Sequence, residues 1–227
     1  DMDQAINDDP GLQAAATLID LDNDQEYDAG ESSYVFQGAS TAKIIASVDY
    51  MHEVEQGKAS LNQDIDGTSA QQQLKQMIEV SDNNAWLDIN EFLGSQQQSY
   101  AKSIGLSTFT GAGINTITSD DEAKLLQELY EGKLINSSHR SLLYSYMGHT
   151  NNTELIPAAL PGDATVYNKY GQLDGELHDA AIVSYQGRHF VLIIFTKNPD
   201  ENTQDYTEQI TLIHNITEAA FNDVMAG

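Results

Sequence analysis

The chain has 227 residues, 40% of them hydrophobic, enough for one large domain or two small ones sharing a core. It carries 35 Asp and Glu against 10 Lys and Arg, a formal net charge of -25, and no cysteine. That balance argues against nucleic acid and anionic membrane surfaces as partners. The missing cysteines exclude disulfides, thiolate metal sites and a cysteine nucleophile.

The carboxylates are dispersed, so most of them read as a solvated acidic coat. No apolar run of about 18 residues occurs, and no helix that spans a membrane is expected. No leader segment stands at Asp1, as in a processed or a trimmed protein. Disulfide-free folding fits an exported bacterial protein, though cytoplasmic proteins also lack cysteine.

The first elements are strands. Residues 14–20 form a short apolar strand, Asp22-Asn23-Asp24 a polar turn, and Glu26-Tyr27 restart a second strand. A helix is expected over 41–56, stopped by Gly57, and another over 85–93, stopped by Gly94. Ser119-x-x-Glu122 reads as a capping box opening a helix to Tyr130, with Gly132 after it. Residues 136–147 add a further helix. Gln71-Gln72-Gln73 and Gln96-Gln97-Gln98 read as low-complexity runs.

The pattern then returns to strands, over 164–170, 180–185 and 188–196. Gln186-Gly187 makes a tight hairpin between the last two. Ile210, Ile213, Ile216 and Ala220 share a face, which predicts a closing amphipathic helix. Early and late strands together suggest one sheet built from both chain ends, with a helical region inserted between them.

Three short motifs carry candidate chemistry. Ser40 and Lys43, in GASTAKIIA, stand at i and i+3 and share a helix face. A serine hydroxyl needs a base to become nucleophilic. A lysine among apolar neighbours loses hydration of its charged form, which lowers its pKa. Ser40 at the head of a helix also has a free backbone N–H for an oxyanion. An N-cap serine and a snorkelling lysine would look the same. Ser81-Asp82-Asn83 precedes the helix that carries Trp86, and all three residue types also suit caps. Lys169-Tyr170-Gly171 ends a strand.

In this order the three are far more specific than singly. S-x-x-K, then S-D-N, then a K-T-G-like strand is the signature of class A β-lactamases and penicillin-binding proteins, and the chain resembles that superfamily. The likeness extends over nearly the whole chain. It includes the hairpin before Ser40, Glu55-Gln56-Gly57-Lys58 with Leu61, Gly105-Leu106, residues 118–126, and the closing strands and helix.

The resemblance implies a mixed α/β fold. A five-stranded antiparallel sheet is flanked by helices, with an inserted all-helical subdomain and the site between them. A single catalytic domain would span 1–227, its α/β part about 1–39 and 161–227 and its helical part about 40–160. Ser40 would be the acylated nucleophile and Lys43 its base. Ser81 would relay a proton to the leaving atom, Asn83 hold the substrate's amide, and Lys169 supply positive charge. Tyr170, Gly171 and Gln172 would meet the substrate. The oxyanion hole would be the backbone N–H groups of Ser40 and Gln172. The implied substrate is a small molecule or a peptidoglycan-type peptide. The implied place is outside the cytoplasm, secreted or anchored through a segment preceding this chain. A monomer is expected, with no cofactor.

Two departures stand out. Class A enzymes carry a deacylating glutamate on a long Ω-loop. Here the interval 107–115, STFTGAGIN, is short, and no Asp or Glu occurs between Glu91 and Asp120. Tyr170 replaces the usual small hydroxyl residue. Both argue against an efficient β-lactamase. A serine acyl-transfer enzyme is therefore the first reading. A non-catalytic surface module and a β-lactamase with another deacylating base remain beside it.

Acidic residues from Asp20 to Glu31 fall at calcium-loop positions, but Gln25 stands where that loop needs glycine, and the flanks read as strands. The histidines at 52, 139, 149, 178, 189 and 214 show no ligand spacing. No metal is expected.

Overall fold

A computed structural model describes residues 1–111 and 114–227. Helix α1 (Met2–Asn7) leads into the hairpin β1 (Gln13–Asp20) and β2 (Gln25–Gly30). Short strand β3 (Phe36–Gln37) and a 3-10 turn (Ala39–Ala42) lead into α2 (Lys43–Glu55). The small pair β4 (Asp64–Ile65) and β5 (Thr68–Ser69) precedes α3 (Ala70–Glu79), α4 (Asn83–Leu93) and α5 (Gln96–Ser103). Strand β6 (Thr116–Ile117) pairs with β3 and opens into α6 (Ser119–Tyr130) and α7 (Ser137–Met147). Then come β7 (Thr165–Leu173), β8 (Glu176–Tyr185), β9 (Arg188–Lys197) and α8 (Thr207–Ala226).

The main sheet has five antiparallel strands in the order β2-β1-β9-β8-β7, so both chain ends build it. Its three central strands, β1, β9 and β8, are buried on both faces. Ile19, Ile193 and Phe195 pack toward the helical layer around α2, and Leu18, Leu192 and Ile194 toward α1 and α8. That double burial is why β1 and β9 read as nearly unbroken apolar runs. Gln186 and Gly187 both have positive φ, 48° and 82°, as a two-residue I′ hairpin requires.

Helix α2 is the central post, with every residue from 43 to 51 buried. Its apolar surroundings therefore extend to Lys43 itself.

Several expectations need correction. Ser40 does not lie on the long helix: it sits in the 3-10 turn, and α2 begins at Lys43. The cap of α6 is Thr118, whose hydroxyl accepts from Asp121 N at 3.2 Å; Ser119 is the first helical residue. Glu122 is no capping partner but a fully buried side chain. Helix α3 was hidden in a glutamine run, although Ala70, Leu74, Met77 and Ile78 keep helical spacing and are all buried. Helix α5, mostly polar with Gln97 and Ala101 as its buried residues, covers the second glutamine run.

Candidate functional site

The site forms where the 3-10 turn, the loop before α4 and the edge strand β7 meet. Two residues there hold left-handed backbone without being glycine: Ala39, immediately before Ser40, at φ 47°, and Ser81 at φ 57°. Such strain persists where surrounding contacts impose it, commonly at functional sites.

The S-D-N segment divides its labour. Asp82 is the cap, its Oδ1 accepting from Asn84 N at 2.8 Å and Ala85 N at 3.1 Å. Ser81 and Asn83 turn to the cleft. Lys43 Nζ donates to Ser81 O at 2.7 Å, to Ser81 Oγ at 3.2 Å and to Asn83 Oδ1 at 2.7 Å. From the facing strand, Lys169 Nζ donates to Ser81 Oγ at 3.0 Å and to the Tyr170 carbonyl at 2.9 Å. Ser81 Oγ thus bridges two buried lysines. Among the described residues no hydrogen bond joins Ser40 Oγ to Lys43; the lysine head is held by Ser81 and Asn83 instead.

Burial sets the charge state of both lysines. Desolvation pushes Lys43 down to about 8, with Asp82 pulling back toward the charged form. Desolvation pushes Lys169 down to about 7, helped by the nearby Lys43 and opposed by Asp179. Neutral amine is therefore within reach near physiological pH. Asp179 is itself buried, and accepts from Asn168 Nδ2 at 3.0 Å and Ile156 N at 3.1 Å. Burial raises its carboxyl to about 6 against those hydrogen bonds.

The backbone of the Ser40 segment is clamped. A Cβ added at Gly171 would stand 2.9 Å from Ser40 N and 3.0 Å from Gly38 O, so β7 approaches the turn as only glycine can. Beside Gly171 in the sheet register stands the buried His178. Thr196 N donates to its Nδ1 at 3.1 Å, which leaves the hydrogen on Nε2, donated to Gln37 O at 2.9 Å. Asn115 Nδ2 donates to Ala39 O at 3.0 Å, while its Oδ1 is buried with no hydrogen-bond partner among the described residues.

A cavity of about 260 Å³ opens at Ser40. Lys43, Asn83, Asn115 and Gln172 line it, together with Trp86, Leu87, Ile114 and Leu173. No Asp or Glu is among its described lining residues. Ala112 and Gly113 of the interval 107–115 lie outside the described residues. Tyr170 does not line the cavity. Its half-buried ring packs on the apolar layer toward α8 and lies over Lys169, with Nζ 4.2 Å from the ring centroid.

The structure therefore brings together Ser40, Lys43, Ser81, Asn83, Lys169, Gly171 and Gln172, and sets Tyr170 beside Lys169. Sequence reasoning missed the apolar lining, the Asn168–Asp179 pair and the His178 strut. The one signal for Asn168, Asp179 and His178 was their place on the two strands that flank the turn after Lys169.

The acidic turn between β1 and β2 is tied to the neighbouring β9. Asp20 accepts from Arg188 Nη2 at 2.8 Å, and Asp22 from His189 N at 2.9 Å. Among the described residues, Glu26, Asp28 and Asp120 form a group whose carboxylate oxygens lie within 4.8 Å of one another. Thr17 Oγ1 contacts both Asp28 and Asp120, and none of the three acids lines the Ser40 cavity.

Comparison with known proteins agrees with this fold. The profile of the Beta-lactamase enzyme family matches residues 1–224. Among solved structures, PBP-A superposes with a TM-score of 0.91 at 22% identity, over 100% of this chain and 95% of that one. A mutant of PBP-A, solved as an acyl-enzyme complex with penicillin G, gives the same figures. A β-lactamase from Sphaerobacter thermophilus gives a TM-score of 0.88 at 20% identity, over 100% and 97% of the two chains. One from Chitinophaga pinensis gives 0.89 at 19%, over 100% and 98%. No curated protein matches the chain.

Proposed function

The chain belongs to the Beta-lactamase enzyme family, and we propose that it is a serine acyl-transfer hydrolase that forms its acyl-enzyme on Ser40. The observation that carries this reading is Ser81 Oγ between the Nζ atoms of Lys43 and Lys169, at 3.2 and 3.0 Å, with Lys43 also lining the cavity that holds Ser40. Two lysines with depressed pKa values around one hydroxyl form a short proton relay.

In the proposed cycle the neutral Lys43 amine takes the Ser40 hydroxyl proton as Oγ bonds to the acyl carbon. The carbonyl electron pair moves to oxygen, facing the backbone N–H groups of Ser40 and Gln172. On collapse the bond to the leaving nitrogen or oxygen breaks. Ser81 gives that atom its proton and regains one from the lysines. Water then cleaves the ester, releasing the acid and restoring the Ser40 hydroxyl.

We take the substrate to be a cell-wall-type peptide, an ester or a β-lactam, and propose that the protein works outside the cytoplasm. The absence of a carboxylate from the described lining supports slow deacylation of penicillins. A second reading, a non-catalytic surface module, is favoured by the Tyr170 ring lying over Lys169. Intact-protein mass after exposure to a fluorophosphonate decides between them. The hydrolase gives a stoichiometric adduct that disappears in Ser40→Ala. Equal labelling of wild type and Ser40→Ala would sink the hydrolase and leave the module.

A further inference from the structure

Leu87, Ile114 and Leu173 are 56%, 66% and 44% exposed, yet all three line the Ser40 cavity, with Trp86 beside them. Scattered apolar side chains on a surface need no explanation. Here they converge on one cavity of a chain with a net charge of -25, and a convergent apolar patch marks a binding surface.

The nearby cations offer little to an anion. Lys43 directs its three protons to Ser81 O, Ser81 Oγ and Asn83 Oδ1. Lys169 is fully buried, bonded to Ser81 Oγ and Tyr170 O and covered by the Tyr170 ring. Among the described lining residues Lys43 is the sole cation, and the field of the whole molecule repels anions.

We propose that the cleft selects neutral substrates carrying an apolar acyl chain, esters or amides without a carboxylate on the leaving side, and that Leu87, Ile114 and Leu173 seat that chain. The inference rests on the acyl-transfer reading above. The step is ordinary acyl transfer. Ser40 Oγ bonds to the acyl carbon, the bond to the leaving alcohol or amine breaks, and the Ser40 proton ends on that leaving atom. The cavity of about 260 Å³ is bounded, so it seats an acyl chain of limited length.

The test is kcat/KM for 4-nitrophenyl esters from acetyl to decanoyl, with Ser40→Ala as the blank. A matched pair of hexanoyl esters, phenyl and 3-carboxyphenyl, probes the leaving side. We expect a rise of about 3-fold per methylene, slightly less than full burial would give, levelling off once the chain outgrows the cavity. The neutral phenyl ester should be preferred by about 10-fold or more. Leu87→Ser and Ile114→Ser, both at exposed positions, should flatten the chain-length dependence. Hydrolysis that depends on Ser40 but ignores chain length, or that prefers the carboxyphenyl ester, overturns the inference and leaves the acyl-transfer reading standing. Absence of any Ser40-dependent hydrolysis or fluorophosphonate labelling overturns both.

Discussion

Gly171 and Ser40 touch through their backbones: a Cβ built on Gly171 would come within 2.9 Å of Ser40 N. Strand β7 thereby fixes the N–H group proposed to face the oxyanion. Gly171→Ala should push the 3-10 turn away without unfolding the protein. Removing one oxyanion donor typically costs about 10²–10³-fold in rate. We therefore expect fluorophosphonate labelling of Gly171→Ala to slow about 100-fold with far-UV circular dichroism unchanged. A wild-type rate would mean that Ser40 N has no such role.

Acylation should depend on pH through the lysines. Burial places Lys43 near 8 and Lys169 near 7, both below the ordinary lysine value. A lowered pKa means the neutral, basic amine gains population as pH rises through that range. The two interact, so their protons come off in two macroscopic steps that belong to the pair. Below the step that frees the Lys43 amine, the labelling rate should climb about 10-fold per pH unit. Lys43→Ala should lose about 10²–10⁴-fold and the pH dependence with it. A rate that falls between pH 6 and 8 would remove Lys43 as the base.

Much of this site was legible in the sequence, because the motifs carry residue identity and order. Ser81 and Lys169 lie 88 positions apart in the chain and meet at 3.0 Å. Their bonding was not legible. The change from a 3-10 turn to an α-helix between Ser40 and Lys43 alters which face each side chain presents. The left-handed Ser81 aims its carbonyl at the lysine, and no propensity argument foresees that at a serine. Sheet strands showed through as apolar runs because both faces are buried. Helix α3 showed the right spacing, but its glutamines masked it. The seat of Leu87, Ile114 and Leu173 joins three distant segments, and single exposed apolar residues carry no signal of where they will meet.

Tyr170 has a measurable effect if its ring shields Lys169. The ring lies over the Lys169 ammonium, where a threonine would leave it open to a substrate carboxylate. Tyr170→Thr should speed acylation by penicillin by up to about 10-fold, about 1.4 kcal/mol of barrier. Penicillin carries a carboxylate, so the same variant should narrow the preference for neutral esters. An unchanged or slower penicillin reaction in a folded variant would show that the ring is not the obstacle.

Glu122 should make the protein less stable as pH rises. Both its carboxylate oxygens are buried without a hydrogen-bond partner among the described residues, and burial, with Asp121 nearby, raises the carboxyl to about 8. The folded state therefore binds a proton that the unfolded state releases near the ordinary glutamate value. Stability falls by about 1.4 kcal/mol per pH unit between roughly 5 and 8 from this group alone. Glu122→Gln removes that slope. Urea unfolding at pH 5, 6, 7 and 8 should show the variant gaining on wild type at each step. Parallel curves would mean that Glu122 is ionised in the folded protein.

The last prediction concerns the fate of a penicilloyl adduct. Acylation needs a base for the Ser40 hydroxyl, and Lys43 supplies one. Deacylation needs a base that holds a water on the open face of the ester carbonyl, and such a base contributes typically about 10²–10⁴-fold. The described lining of the cavity holds amides, Lys43 and apolar side chains, with no carboxylate. Asn115 Oδ1 is buried out of reach of water, and an amide would not take its proton in any case. The acids nearest in sequence are engaged elsewhere. Asp120 accepts from Thr17 Oγ1 at 3.1 Å, Asp121 accepts from Thr108 N at 2.7 Å, and Glu122 is sealed in the core. Lys43 is left to act twice, with the bulky penicilloyl group beside it. A small acyl group leaves more room for water, so esters should turn over while penicillin accumulates as an adduct. Mass spectrometry after a penicillin pulse and removal of excess drug should show the adduct persisting for minutes or longer. Rapid Ser40-dependent turnover of penicillin would refute this. Asp120→Asn, Asp121→Asn and Glu122→Gln are then the first variants to make, because these are the acids nearest in sequence to the interval 107–115.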